Sequence, residues 1–99
     1  MYKILSNIQE PNKEALKTVA VFPTYESAKN AFEKLTRETA DDLGYPSEEL
    51  TFDNSFGDVC GNVCIHISVA KNFMRSILTN DDGFCHRIVL DEYPLGEFI

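Results

Sequence analysis

No run of this sequence approaches the roughly 18 apolar residues of a membrane-spanning helix, and its first twenty residues, MYKILSNIQEPNKEALKTVA, hold no apolar core of the length a secretory signal needs. A cytoplasmic protein with no membrane contact is expected. The five glycines, Gly44, Gly57, Gly61, Gly83 and Gly96, are scattered, and none forms GxGxxG or the GxxxxGK pattern of a phosphate loop. No nucleotide cofactor is expected. Cysteine is scarce and odd in number, at three, which argues against a closed disulfide framework and fits thiols kept reduced. Linkers rich in Pro, Gly or Ser, internal repeats and low-complexity tracts are also missing. At 99 residues the chain reads as a single domain, 1–99, too short to divide into two that each bury a core.

Basic residues are few as well: nine Lys and Arg stand against sixteen Asp and Glu, a net charge of −7. That balance repels a phosphate backbone, so direct nucleic-acid binding is not expected. The charge is unevenly placed, with residues 1–37 at +2 and residues 38–99 at −9. Between Arg37 and Lys71 there is no basic residue for 33 positions, and Glu38, Asp41, Asp42, Glu48, Glu49, Asp53 and Asp58 fall in that gap. A solvated, solubilising surface is the ordinary account of such a segment. Recognition of a basic partner is the functional alternative.

What is present is enough for one core, with 43% apolar residues that include seven Phe and four Tyr. YKILSNI (2–8) alternates with the two-residue period of a strand, and KTVAVF (17–22) is a second strand closed by Pro23. The two are expected to form a hairpin. Thr24 stands as an N-cap, and Ala28, Ala31, Phe32, Leu35 and Leu43 make one stripe, with opposite charges at Lys29/Glu33, Glu33/Arg37 and Lys34/Glu38. Gly44 and Pro46 end the helix, which is expected over 24–43. Residues 45–58 have no clear period and read as a loop or an edge strand anchored by Leu50 and Phe52. VCIHISV (63–69) alternates cleanly as a strand. Ala70, Phe73, Met74, Ile77 and Leu78 recur at helical spacing, which predicts a short helix over 70–79, and FCHRIVLDEY supplies a last strand, 85–93, stopped by Pro94.

The expected fold is therefore α+β: a two-layer domain with an antiparallel sheet of four to five strands, one long helix and one short one. Tyr2, Ile4, Val19, Val21, Phe32, Leu35, Val63, Ile65, Ile67, Phe73, Ile77, Ile88 and Leu90 are the expected core.

The stretch most like chemistry is DVCGNVCIHISV (58–69), which puts Cys60 and Cys64 four apart with His66 two further on. Gly61-Asn62 fits a two-residue primed hairpin turn, and pairing Cys60 with Val63 sends the two thiols to opposite faces. Cys60, Cys64, His66 and Cys85 make a nominal zinc set, but with one CxxxC and no second matched pair a metal is not expected. Cys85 and His86 are strand neighbours and diverge; Cys64 and His66 share a face at i,i+2, too far apart for a direct dyad. TFDNSFGD lacks the alternating oxygen ligands of a calcium loop. No catalytic, cofactor-binding or metal-binding residue is assigned.

Two segments together, VAVFPTYESAKNAFEKL and GFCHRIVLDEYPLGEF, resemble small uncharacterised α+β proteins of bacteriophages and bacterial mobile elements, over about half of the chain. The resemblance implies a role in binding host or partner proteins. The expected function is a small, acidic, non-enzymatic protein-binding module whose carboxylates at 38–58 meet a basic partner, such as a host nucleic-acid-binding protein. A Cys/His metal-binding module or thiol enzyme using Cys64 and His66 is one alternative. A homo-oligomeric structural protein, burying Phe98 and Ile99 or a sheet edge between copies, is another.

Overall fold

The computed structural model describes residues 1–8 and 17–92. Six strands form one antiparallel sheet: β1 (Tyr2–Ile8), β2 (Lys17–Phe22), β3 (Phe56–Cys60), β4 (Val63–Ala70), β5 (Phe73–Asn80) and β6 (Cys85–Glu92), in the spatial order β2-β1-β6-β5-β4-β3. One helix, α1 (Tyr25–Leu43), lies between β2 and β3 in the chain. Because β2 and β3 are the two edges, the connection through α1 must travel the full width of the sheet. At 1.5 Å per residue, its 19 residues span about 28 Å, close to the roughly 24 Å across five inter-strand gaps.

Alternation decides the two faces. The helix-covered face carries Ile4 on β1, His86, Ile88 and Leu90 on β6, Met74, Ser76 and Leu78 on β5, and Val63, Ile65 and Ile67 on β4, all buried. Phe32, Ala28, Thr36 and Ala40 of α1 close over them. The opposite face carries Leu5, Val21, Phe73, Ile77, Cys64 and Cys85, all half-buried, and no described element packs on it. Among the expected core residues, Val21, Phe73 and Ile77 thus sit on this second face, and Val19 belongs to β2, its side chain lying outside what is described.

The helix begins where its sequence says. Thr24 Oγ1 accepts from Ser27 N–H at 3.2 Å, and Gly44, at φ +87°, takes the left-handed cap that a side chain resists. Only one of the three expected i,i+4 ion pairs closes, Lys29–Glu33 at 3.1 Å. Arg37 turns instead to the Ser47 carbonyl and over the Phe52 ring. It thereby pins a single 3₁₀ turn, Ser47–Glu49, and the chain after it to the helix. Leu50 and Phe52 anchor that stretch, as expected, and Tyr45 joins them at 2% exposure. The unassigned segment 45–58 ends in the edge strand β3.

The short helix expected over 70–79 is replaced by strand β5. Its apolar residues mimic a helical stripe because the strand has apolar side chains on both faces: Met74 and Leu78 point to the core, Phe73 and Ile77 away from it. The competing signal is Lys71-Asn72, a two-residue turn that pairs Ala70 with Phe73, with Asn72 at φ +57°. With β3 and β5 added, the sheet has six strands where four to five were expected. No described helix is long and apolar enough to cross a membrane.

Thr36 and Ser76, both fully buried, bond through their hydroxyls at 3.0 Å where α1 crosses β5. Removing one hydroxyl strands the other away from water, at about 1–3 kcal/mol. Chemical denaturation should therefore show Thr36→Val destabilised by that amount, and Thr36→Val/Ser76→Ala recovering most of the loss. Additive losses in the double variant would mean that the two hydroxyls do not depend on each other.

Candidate binding cleft and acidic surface

The alternation of β6 puts His86 on the core face at the start of the strand, beneath the C-terminal half of α1. It is 4% exposed and has a partner at each ring nitrogen. Thr39 Oγ1 donates to the Leu35 carbonyl at 2.9 Å, so toward His86 Nδ1, 3.4 Å away, it can only accept. That fixes the proton on Nδ1. Nε2 then accepts from Ser6 Oγ at 2.5 Å. Burial holds the His86 pKa below its ordinary value, and the neutral ring packs edge-on to Phe84 at 6.3 Å.

A hydroxyl donating to a buried imidazole is the first half of a nucleophilic dyad. Here Thr39, not a carboxylate, faces the second nitrogen, so no acid is hydrogen-bonded to an imidazolium formed during proton transfer. Nor is Ser6 among the residues that line the neighbouring cleft. The cluster joins β1, α1 and β6 more readily than it catalyses.

That cleft has a volume of about 480 Å³ and lies between α1 and β6. Leu35 and Leu43 form its helical wall, Phe84 the opposite wall, and Thr39 and His86 its floor. Glu38 and Asp42, one helical turn apart and exposed, stand at its mouth.

All seven carboxylates of the 38–58 segment are exposed, but they do not form one patch. Glu38 and Asp42 face the cleft on one flank of α1. Asp58 accepts from the Tyr45 hydroxyl at 2.6 Å; burial, then Asp58 and more weakly Glu49, push the Tyr45 pKa far up. Asp53 lies 3.8 Å from Lys29, near the other end of the helix. Asp41 and Glu48 are exposed beside the helix end and in the 3₁₀ turn.

The cysteine-rich stretch resolves as geometry. Gly61, at φ +62°, and Asn62 form the two-residue turn, and Cys60 pairs with Val63. Cys60 therefore lies on the helix side and Cys64 on the opposite side. Cys64, Thr79 and Cys85 occupy one row across β4, β5 and β6, which separates the last two thiols by two strand spacings, about 10 Å and beyond disulfide reach. All three are free thiols, and no three described His, Cys, Asp or Glu side chains converge as a metal requires.

The Ser6, Thr39 and His86 cluster was not legible as a unit, because its members come from β1, α1 and β6. The available signal was polar residues at buried positions: Thr36 and Thr39 interrupt the apolar stripe of α1.

The low His86 pKa has a signed consequence. Above the ordinary value near 6.5, folded and unfolded chains both hold a neutral ring. Below it the unfolded chain binds a proton that the folded chain refuses, so stability falls with pH until the folded pKa is reached, with a limiting slope of about 1.4 kcal/mol per pH unit. NMR titration should place His86 below the ordinary value, and His86→Asn should flatten the decline in Tm from pH 7 downward. An unchanged slope in that variant would assign the decline elsewhere.

No family model, curated protein or solved structure matches the chain, so the role of the cleft and the acidic surface has to be argued from their own side chains.

Proposed function

We propose that this protein is a non-enzymatic binding module whose acidic surface, centred on the C-terminal end of α1, meets a basic surface on another protein. The observation that carries this reading is the charge at that helix end. Asp41 and Asp42 stand in the last turn and no basic residue does. The helix dipole already concentrates about half a negative charge there, and each misplaced acid costs about 0.3–1 kcal/mol. A helix selected only for stability would carry Lys or Arg at this end. The sacrifice concentrates negative potential where Glu38, Glu48 and Glu49 extend it, and a cationic partner relieves it while gaining a faster encounter. The resemblance of VAVFPTYESAKNAFEKL to proteins of bacteriophages favours a host protein in the cytoplasm as that partner, and arrayed carboxylates can occupy a protein that otherwise holds a phosphate backbone.

A second reading, self-association, is favoured by the apolar side chains on the sheet face that no described element covers and by Val59 at 66% exposure on edge strand β3. Light scattering distinguishes the two, because self-association raises the molecular mass of the protein alone.

Asp41→Lys/Asp42→Lys should raise Tm by a few degrees, by complementing the dipole with about 0.5 kcal/mol or more. The same surface with Asp41, Asp42, Glu48 and Glu49 all changed to Lys should lose any partner that the wild type captures from host extract at low salt. Recovery of the same partner with the same salt dependence would reduce the acidic segment to a solvated surface.

A further inference from the structure

We infer that the cleft between α1 and β6 receives an apolar side chain of the basic partner, flanked on that partner by Lys or Arg whose charges meet Glu38 and Asp42. This rests on the acidic-surface reading and names the feature that would set the true partner apart from any other cation.

The floor argues for an apolar occupant. The Thr39 hydroxyl proton is committed to Leu35, and both His86 nitrogens are engaged, so the two polar residues of the floor already have partners inside the protein. For the same reason His86 has no free lone pair to offer a metal. The walls, Leu35, Leu43 and Phe84, are apolar and only partly covered. About 480 Å³ falls within the range of ordinary ligand pockets and accommodates a leucine- or phenylalanine-sized group.

The mouth argues for cations. Glu38 and Asp42 repel each other at i,i+4, lie at the negative end of the helix dipole, and form no ion pair among the described residues. An anion is repelled from this mouth. A bare ammonium leaves the walls wet, and a neutral apolar group leaves the like charges unrelieved. One surface satisfies walls and mouth together: an amphipathic helix with an apolar anchor and Lys or Arg one turn away from it.

The test uses synthetic helical peptides and the full chain, with affinity read by fluorescence anisotropy and location by NMR. A Lys/Leu amphipathic peptide should bind in a salt-dependent way and shift the resonances of Leu43 and Phe84. Replacing its leucines with serine should weaken binding by about tenfold or more, the effect of losing a buried anchor. Phe84→Ala and, independently, Leu43→Ser should each weaken the Lys/Leu peptide, and whichever variant keeps the wild-type Tm decides the point. Glu38→Gln/Asp42→Asn should weaken both peptides and flatten the salt dependence. If the serine peptide binds as tightly as the leucine peptide, or if the shifts fall on Leu5 and Ile77 of the opposite face, the cleft proposal is overturned. In that case a salt-dependent loss in Glu38→Gln/Asp42→Asn still upholds the acidic surface. Affinities that no carboxylate substitution changes overturn both readings.

Discussion

One helix has to cover one face of a six-stranded sheet, and most of the arrangement follows from that constraint. A single α1 packs over β6, β1, β5 and β2, where Ile4, Met74, Leu78, Ile88 and Leu90 are buried. The flanks are closed by other means. On the β3 side, Tyr45, Leu50 and Phe52 fold back against the helix, and Phe32 meets Phe52 edge-on at 6.1 Å. On the β6 side no described segment returns. The cleft of Leu35, Leu43 and Phe84 is what remains open there. In the middle, the small hydroxyl pair of Thr36 and Ser76 replaces two larger apolar side chains where α1 crosses β5.

Polar groups are tolerated in this interface because each is answered within it. Thr36 answers Ser76, and Thr39 and Ser6 answer His86. Such bonds add little net stability while made, yet leaving one partner alone is expensive, so they favour one placement of the helix over its neighbours. The acids of the C-terminal turn behave in the opposite way. They work against the dipole and find no described cation, so the helix is held by its buried face and caps in spite of its charge pattern.

Alternation and caps made much of the fold legible. Thr24 and Gly44 bound the helix because an N-cap oxygen and a left-handed glycine are local requirements, and Gly61-Asn62 placed Cys60 opposite Val63 because a two-residue turn leaves no other register. β5 was illegible for an equally physical reason. With apolar residues on both faces its period-two signal is lost, and Phe73, Met74, Ile77 and Leu78 then match a helical stripe. β3 was obscured because its residues, apart from Phe56, are exposed and carry little alternation at all.

The charge asymmetry, the divergence of the thiols and the bounds of α1 were determined by sequence alone, since each depends on residues close together in the chain. Tertiary structure decided which carboxylates work together. Glu38 and Asp42 gain a cleft only because β6 passes beneath them; Asp58 reaches the Tyr45 hydroxyl only because β3 returns to the sheet edge; Asp53 goes to Lys29. His86 meets Ser6 and Thr39 across β1, α1 and β6, through contacts that no local pattern encodes, because strand order and helix placement are set by the burial of the whole face.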